Sequence, residues 1–422
     1  MSMFSRIFWL IVIFCTTSVG WFVLGGVMDA RTNQQQHDLS GKVADLWGSP
    51  QHQSAPTVIF RWMVEETTTD AVHDPETATF IPRERTVLKQ KVENVHLTSS
   101  ALDVDLDLDA RRKGLLWFSL YDVDFSAIYT YTHHSELSGE VEIIFPFPDS
   151  SGLYDNFQFS IDGQFDPTLQ PSNGEVRAVV AVQPAQEITI AVGYRSRGAD
   201  EWRYTPSAGV TALNNFTLNM TTDFDEIDFP AYTLSPSTKA ASADGWALTW
   251  AFDRVVTGHS VGMTMPQPIQ PGLLAQQMSF SAPISLGFFF LILFVLSVLK
   301  KLPIHPLNYM MLAGAFFSFH LLFAYSADHL PIELAFGLSS LTSVVLVVSY
   351  LRLVIDSRFA FGPAAAAQFI YLVGFSLAHF WDGYTGLTVT ILSIATLFML
   401  MQLTGRVDWE QEFKKARKPL ST

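Results

Sequence analysis

The chain has 422 residues, of which 49% are hydrophobic, and it carries a formal net charge of −14. Most of the acidic residues lie between residues 31 and 272, so nucleic acid and anionic lipid are not expected partners of that block. The single cysteine, Cys15, lies in an apolar run, so the block has no disulfides and must be stabilised by its own hydrophobic core.

The chain begins with an apolar run over residues 7–27 that follows Arg6. The run is long enough to cross a ~30 Å hydrocarbon core as a helix and is longer than the core of a signal peptide. Met28-Asp29-Ala30 is also a poor cleavage site. We therefore predict an uncleaved transmembrane anchor over residues 1–28, with its amino terminus in the cytoplasm.

Residues 29–48 are polar, but Leu39, Val43 and Leu46 recur at helical spacing, which predicts an amphipathic stalk helix that ends at Gly48. From Pro56 the apolar period changes to two, with turn signals between short runs and no helical pattern among them. This predicts a mainly β domain over residues 49–265, with antiparallel, sandwich-like architecture. The predicted strands are residues 57–62, 85–97, 102–110, 115–132, 140–147, 157–162, 177–182, 187–194, 212–221, 246–252 and 260–265.

A proline-rich stretch, residues 266–281, predicts a stiff linker. Residues 282–404 then hold five apolar runs, each long enough to cross a membrane, which predict a five-helix bundle. The runs are residues 282–299, 307–325, 332–351, 363–380 and 384–403, with Pro283 and Pro363 at the start of two of them. With the anchor, the fold class is a membrane protein with six transmembrane helices and a β-rich domain after the first.

Charge between the runs alternates and predicts the orientation of the bundle. Lys300, Arg352 and the basic tail over residues 405–422 fall on one side, while the gaps around Asp328 and Asp382 contain no Lys or Arg. Basic segments stay in the cytoplasm. We therefore predict that both termini are cytoplasmic, that the β domain lies on the opposite side, and that the lipid bilayer is a direct partner.

Five ionisable residues are expected near the outer membrane face: His320, His329, His379, Asp328 and Asp382. Ionisable groups in membrane crossings are candidates for a proton relay, a metal site or a haem site. The alternative is that they make hydrogen bonds between helices and anchor the bundle at the interface. We favour the second interpretation, in which His320 and His379 pair with neighbouring helices, and expect no cofactor, no metal and no catalytic residue.

Two motifs in the β domain contain residue types that bind metal ions. The segment DVDLDLD over residues 103–109 places four carboxylates on one face of a strand, but same-face neighbours lie about 6.5–7 Å apart, whereas calcium needs oxygens at about 2.3–2.6 Å. A solvated strand face is therefore predicted. His133-His134 is predicted to be a polar turn, and no nucleotide, zinc-protease, hydrolase or redox motif occurs in the chain.

Three segments of the bundle carry a resemblance to a known family. They are His305-Pro306-Leu307-Asn308-Tyr309, residues 321–329 ending in Asp328-His329, and residues 404–409 ending in Asp408-Trp409. Together they resemble the CreD-like inner-membrane proteins, often called cell-envelope integrity proteins. His320 departs from the family, where tyrosine is expected, and Asn308 replaces a usual glutamine.

The resemblance implies a compartment and a topology, and no assigned chemistry. It places the chain in the bacterial inner membrane, with the large domain in the periplasm. The predicted function is non-enzymatic, in envelope integrity or stress response, with the β domain as a contact surface for envelope proteins or lipids. The alternative is a transporter or lipid-handling protein that uses a cavity in the bundle, and a membrane enzyme comes third. A cavity lined by His320 and His379 would favour the last two, and a filled bundle would favour the first.

Overall fold

The computed structural model describes residues 3–74, 79–113, 116–166, 169–206, 209–302, 304–381 and 383–405. These residues form six long helices and three β-sheets, and the chain divides into two compact units. The membrane unit comprises the described residues of Met1–Leu39, Arg112–Trp117 and Ile269–Thr422. The β unit comprises those of Ser40–Arg111 and Phe118–Pro268.

All six predicted crossings are helical, long and apolar enough to span a membrane. The helices are Met3–Trp47 (α1), Pro271–Leu299 (α2), Pro306–Ser326 (α3), Ile332–Val354 (α4), Ser357–Phe380 (α5) and Thr385–Thr404 (α6). The predicted fold class, one amino-terminal and five carboxy-terminal crossings with a β-rich domain between them, is confirmed.

Helix α1 is continuous over 45 residues. At 1.5 Å per residue it is about 68 Å long, roughly twice the thickness of a hydrocarbon core. It ends where the sequence indicated, because Gly48 has a φ of +100° and its N–H donates to the Ala44 carbonyl at 2.9 Å. A Cβ at this position would lie 2.5 Å from the Arg197 carbonyl oxygen, so glycine is required there.

The prolines do not all start helices as predicted. Helix α2 begins at Pro271, so most of the predicted linker over residues 266–281 is helical. Pro271 occupies the first turn, where a missing N–H costs nothing, whereas Pro283 lies inside α2. Pro363 also lies inside its helix, within a π-helical segment of α5, Ala360–Ala364. An internal proline leaves backbone carbonyl groups without an N–H partner. Neighbouring helices and a local π-helical turn satisfy these groups, so such prolines are tolerated in membrane helices.

Helix α2 is the centre of the membrane unit. It packs against α3, α5 and α6, and α4 joins α3 to α5. Trp21 of α1 is fully buried among the rings of Phe316 and Phe317 of α3. Thr396 is the one buried residue among the described residues of α6, so α6 lies at the edge of the bundle.

The β unit contains fifteen strands among its described residues. They are Gln51–Ser54 (β1), Thr57–Asp74 (β2), Thr79–Val95 (β3), Ser99–Lys113 (β4), Leu116–Thr132 (β5), Gly139–Pro146 (β6), Tyr154–Ile161 (β7), Gln164–Phe165 (β8), Glu175–Val182 (β9), Glu187–Ala199 (β10), Glu201–Thr205 (β11), Thr211–Thr222 (β12), Thr238–Ala241 (β13), Trp246–Thr257 (β14) and Val261–Thr264 (β15). The last two residues of β4, Arg112 and Lys113, and the first two of β5, Leu116 and Trp117, belong to the membrane unit.

The strands form an eight-stranded sheet (β13-β14-β12-β4-β5-β10-β7-β8), a four-stranded sheet (β3-β2-β6-β9) and a three-stranded sheet (β1-β11-β15). Most neighbours are antiparallel, as predicted, but β4 with β12 and β1 with β11 are parallel. One continuous hydrophobic core joins the three sheets and includes the fully buried Phe60, Phe125, Trp202 and Trp250. A core of this kind explains why the domain needs no disulfide.

Strands β2 and β3 form a long hairpin that leaves its sheet. They pair with each other from Val58↔Val95 to Asp74↔Thr79, but β6 pairs with β2 only as far as Arg61. Beyond Arg61 the hairpin is therefore a two-stranded ribbon within the described part of the chain. We call the part of it made by residues 62–69 and 84–91, with the flanking Val92, the ribbon.

Candidate functional site

His320 and its surroundings lie in the middle of the bundle. The indole Nε1 of Trp21 in α1 donates to His320 Nδ1 at 3.1 Å, and both side chains are buried. Because an indole nitrogen is only a donor, Nδ1 must carry a lone pair, and a neutral ring then has its proton on Nε2. The rings of Phe316 and Phe319 lie 6.1 and 4.9 Å from the imidazole centroid. His320 therefore links α1 to α3 within a set of aromatic rings.

His379, near the end of α5, bonds to a different helix. Its Nε2 lies 2.9 Å from the Ser281 hydroxyl of α2, and that hydroxyl also donates to the Met278 carbonyl at 3.1 Å. The serine has one proton, so it accepts from His379 Nε2–H and leaves Nδ1 as an acceptor. Within the described residues, that buried Nδ1 has no hydrogen-bond partner.

Each imidazole is bonded to a separate helix, His320 to α1 and His379 to α2. The sequence placed them at similar depth, and the structure adds that Trp21 and Ser281 are their partners. Sequence reasoning missed both partners, because neither an indole nor a serine in an apolar run signals which helix it faces.

A further buried amide joins three helices and was also missed. Gln368 of α5 is fully buried, and its Nε2 donates to the Ser343 hydroxyl of α4 at 2.9 Å. Ser343 in turn donates to the Ala315 carbonyl of α3 at 2.6 Å. This chain of hydrogen bonds fixes the rotation of α4 between its two neighbours, as polar residues do between membrane helices.

Asp328 forms an ion pair that the sequence did not indicate. Its Oδ2 lies 2.7 Å from Arg31 Nη2, and the exposed fractions of the side chains are 8% for Asp328 and 36% for Arg31. Thr32 Oγ1 and Ser326 Oγ are buried beside the pair, and neither has a protein partner among the described residues. The pair therefore lies in a polar patch and joins α1 to the end of α3.

The other two predicted cluster members do not join this arrangement. His329 is exposed in the turn after α3, where its N–H donates to the Ser326 carbonyl. Asp382 lies outside the described residues, as do Asp408 and Trp409 of the family-like tail motif. Asp328 and His320 are eight residues apart on the same chain segment, about 12 Å along a helix axis, so they are separate sites.

The motif His305-Pro306-Leu307-Asn308-Tyr309 starts α3. His305 Nδ1 accepts from the Leu307 N–H at 3.3 Å, and Pro306 fills the first helical turn. Asn308 Oδ1 accepts from the Tyr350 hydroxyl of α4 at 3.0 Å. Tyr309 is buried, with its ring 5.3 Å from that of Phe290 of α2. Each motif residue that contacts another helix therefore helps to assemble the bundle.

In the β unit, strand β4 carries the DVDLDLD segment with the predicted alternation. Leu102, Val104 and Leu106 are buried, whereas Asp103, Asp105 and Asp107 are exposed. The exposed face lines a groove of about 780 Å³ on the eight-stranded sheet. The charged residues of the groove are Asp105, Asp107, Asp122, Asp124, Asp155, Asp223, Asp244, Arg195 and Arg197.

Two ion pairs partly neutralise the groove, Arg195–Asp124 at 2.7 Å and Arg197–Asp122 at 2.9 Å. Partial burial, followed by repulsion from Asp124 and Asp103, raises the pKa of Asp105. Burial and the neighbouring carboxylates likewise raise the pKa of Asp107, although Arg195 opposes that change. Crowded carboxylates therefore bind protons more tightly in this groove than in an unfolded chain.

His133 is not part of a polar turn as predicted. It is 1% exposed, its Nδ1 lies 2.8 Å from the Tyr131 hydroxyl, and its Nε2 lies 2.8 Å from the Leu137 carbonyl oxygen. The centroids of the His133 and Phe60 rings lie 4.4 Å apart, so the imidazole packs against an aromatic side chain of the core. No group of three or more His, Cys, Asp or Glu among the described residues is arranged to hold a metal ion.

The three most exposed apolar side chains of the ribbon lie on one of its two faces. Residues directly opposite in a ladder share a face, and the pairs are Arg61↔Val92, Met63↔Gln90 and Glu65↔Leu88. Met63, Leu88 and Val92 therefore lie on the same face, with exposed fractions of 64%, 63% and 57%. The opposite face carries the exposed ion pair Glu66–Lys89 at 3.0 Å.

Comparisons with known proteins find a family match for the carboxy-terminal part of the chain. Residues 253–410 match the model of a family described as inner membrane protein CreD, which confirms the resemblance seen in the motif residues. No curated protein sequence matches the chain. Among solved structures, the chain is similar to one from Legionella pneumophila described as a nutrient-binding protein. The identity is 9%, the TM-score is 0.31, and the alignment covers 58% of this chain and 96% of that one.

Proposed function

We propose that this multi-pass membrane protein, whose bundle matches the inner membrane protein CreD family, is a non-enzymatic protein that supports envelope integrity or the response to envelope stress. The β unit acts in the periplasm as the contact surface for other envelope proteins, and the bundle holds it in the inner membrane.

The ribbon is the observation that carries this proposal. A two-stranded hairpin is marginally stable in water on its own. Adjoining exposed apolar side chains, here Met63, Leu88 and Val92, are typical of interaction surfaces. A protein partner that covers this face would bury the three side chains and stabilise the hairpin at the same time.

The packing of the bundle supports an anchoring role over the alternative of transport or lipid handling through a central cavity. That alternative needs space around His320 and His379. Instead, His320 is 2% exposed among aromatic rings, and each imidazole is engaged in a bond to another helix. Histidines used in this way hold helices together.

Complementation of a strain that lacks the protein tests the proposal. The readout is entry of a membrane-impermeant dye during detergent stress, with each full-length variant quantified in the membrane fraction. The variant Met63→Lys with Leu88→Lys should fail to restore the barrier, because two ammonium groups would replace two of the three exposed apolar side chains on this face. Val87→Lys, at a residue that is 39% exposed on the opposite face, is the matched control and should restore it. His379→Gln retains an N–H for Ser281 and should restore it as well.

Two results would contradict the proposal. Full restoration by the Met63→Lys, Leu88→Lys variant would remove the ribbon as the contact surface. Loss of restoration with His379→Gln alone, at normal membrane levels, would favour a function inside the bundle.

A further inference from the structure

Helices α1 and α2 leave an apolar groove on the surface of the bundle. The groove has a volume of about 420 Å³ and is lined by apolar side chains of both helices, including Leu10 and Phe14 of α1 and Leu291 and Phe294 of α2. Leu291 is 41% exposed, so the groove opens outward, where a membrane helix meets lipid. Its lining spans two turns of each helix, about 10 Å along the membrane normal.

Gly287 creates the floor of the groove. It has no side chain where the neighbouring positions of α2 carry large ones, and a Cβ there would lie 3.5 Å from Phe14, an ordinary contact. The helices therefore do not need glycine at this position in order to pack. A larger side chain would point into the groove and fill it.

One end of the groove carries positive charge. Arg6 precedes the groove residues of α1, and its Nη2 donates to the Ser297 hydroxyl at 3.4 Å and to the Ile304 carbonyl at 3.2 Å. Lys300 and Lys301 follow Ser297 and are exposed. Residues 1–28 and 297–308 contain no Asp or Glu, so no carboxylate from these segments neutralises the three cations.

We propose that this groove binds an anionic phospholipid, with one acyl chain against Gly287 and the phosphate beside Arg6. A lipid is the occupant that fits an apolar groove of this length within a membrane-spanning segment, and basic pockets between helices on the cytoplasmic side select anionic head groups. Both hydrogen bonds that Arg6 makes with the described residues use Nη2, so the other N–H groups of the guanidinium can reach a phosphate. The site does not depend on the ribbon and goes beyond the proposed function.

The test uses the full chain, purified in mild detergent and supplied with phosphatidylglycerol or phosphatidylcholine of identical acyl chains. Native mass spectrometry counts retained lipids, and thermal unfolding measures the stabilisation that each lipid gives. We expect one retained phosphatidylglycerol per chain and a larger rise in melting temperature than with phosphatidylcholine. Gly287→Leu should lower lipid retention about tenfold. Arg6→Gln should abolish the preference for phosphatidylglycerol.

Matched controls separate a specific site from the general lipid shell. Gly314 of α3 is exposed, and a Cβ there would meet nothing within 4 Å, so Gly314→Leu makes the same change on an open face. Arg352→Gln removes a basic residue from the last turn of α4, on the same predicted side. Both variants should retain phosphatidylglycerol as the unchanged chain does.

Several outcomes would overturn the proposal. They are equal retention of the two lipids by the unchanged chain, equal loss with Gly314→Leu and Gly287→Leu, or an unchanged preference in Arg6→Gln. A dimer that dissociates in Gly287→Leu would show instead that a second copy of the chain occupies the groove. If Gly287→Leu unfolds, Leu291→Trp fills the groove from its exposed rim and provides the same comparison.

Discussion

The indole N–H of Trp21 fixes the ring of the deepest histidine in the bundle, and its removal has a definite cost. Trp21→Phe keeps the aromatic packing but leaves His320 Nδ1 without a donor. An unpaired buried acceptor of this kind costs roughly 1–3 kcal/mol. We expect that loss of stability in thermal or chemical unfolding of the detergent-solubilised protein. Trp9 lies in the same helix and is 46% exposed, so Trp9→Phe should leave the stability nearly unchanged. Equal effects of the two substitutions would show that the hydrogen bond contributes nothing.

The ion pair between Arg31 and Asp328 predicts unequal effects of its two single substitutions. The Asp328 side chain is 8% exposed and Arg31 is 36% exposed. Arg31→Gln leaves a nearly buried carboxylate without its partner, which costs on the order of 3 kcal/mol. Asp328→Asn leaves a guanidinium that water can still reach, so the expected cost is about 1 kcal/mol. Unfolding of both variants and of the double variant, in which much of the Arg31→Gln cost should be recovered, measures the asymmetry. A larger cost for Asp328→Asn would contradict it.

The sequence predicted the orientation of the two histidines but not their contact partners. The sequence predicted that His320 and His379 face into the bundle, since an imidazole does not point into lipid without cost. It did not predict Trp21 as a partner, because the two residues are 299 positions apart and apolar runs do not reveal their neighbours. Arg31 was missed because it follows the anchor and reads as part of a polar stalk.

At the scale of elements, the strand alternation of β4 implies a pH dependence. Burial and neighbouring carboxylates raise the pKa of Asp105 and Asp107 above the ordinary value of 3.8. Over the pH range just above 3.8 the folded state therefore holds more protons than the unfolded state, and stability falls as pH rises. Asp149 acts in the opposite direction, because hydrogen bonds from Ser151 and Ser49 lower its pKa, so its contribution is lost only as pH falls below 3.8.

Replacement of the two groove carboxylates tests this dependence. Asp105→Asn with Asp107→Asn should raise stability at neutral pH and flatten its decline with rising pH, as measured by urea unfolding across a pH series. Asp253→Asn changes an exposed carboxylate of β14 outside the groove and is the control. A double variant with the same pH profile as the unchanged chain would show that the crowding has no effect on stability.

The β unit is expected to fold without the bundle. Its core draws on all three sheets, and the end of the stalk adds Val43 and Trp47 against Leu120 and Ala199. A fragment of residues 40–268 should therefore be soluble and β-rich by circular dichroism. It contains no cysteine, so dithiothreitol should not change its melting temperature. A disordered or mainly helical fragment would contradict this expectation.

The sequence predicted elements well where burial alternates and poorly where it does not. Strands such as β10 and β12 bury one face against the core, so buried and more exposed side chains alternate along them with a period of two. Strand β3 of the ribbon was predicted over residues 85–97, but β2 was predicted only over 57–62. The residues of β2 beyond Arg61 stand away from the core and carry a polar, threonine-rich sequence without alternation. The parallel pairs β4–β12 and β1–β11 join distant segments, and no local signal specifies such a register.

At the scale of the whole molecule, hydropathy predicts which segments cross the membrane but not their orientation. The orientation is predicted from the distribution of Lys and Arg between the crossings. Basic residues lie in the first turn of α1, directly after α2, at the junction of α4 and α5 (Arg352 and Arg358) and after α6. The segments after α3 and α5 contain none up to the next helix. Six crossings return the chain to the side on which it started. From the positive-inside rule we therefore expect both termini in the cytoplasm and the β unit in the periplasm.

Reporter fusions test this topology at two points. An alkaline phosphatase fused after Gly174, in a turn of the β unit, should be active, because that enzyme requires an oxidising compartment. The same reporter at the carboxy terminus should be inactive, and a fluorescent protein that matures in the cytoplasm should give the reverse pattern. Replacing Lys300 and Lys301 with glutamine should weaken the bias without inverting it, because Arg6, Arg352 and the basic tail remain on the same side. Equal activity of one reporter at both positions would require an even number of crossings between them. One of the five carboxy-terminal helices would then have to lie outside the membrane or along its surface.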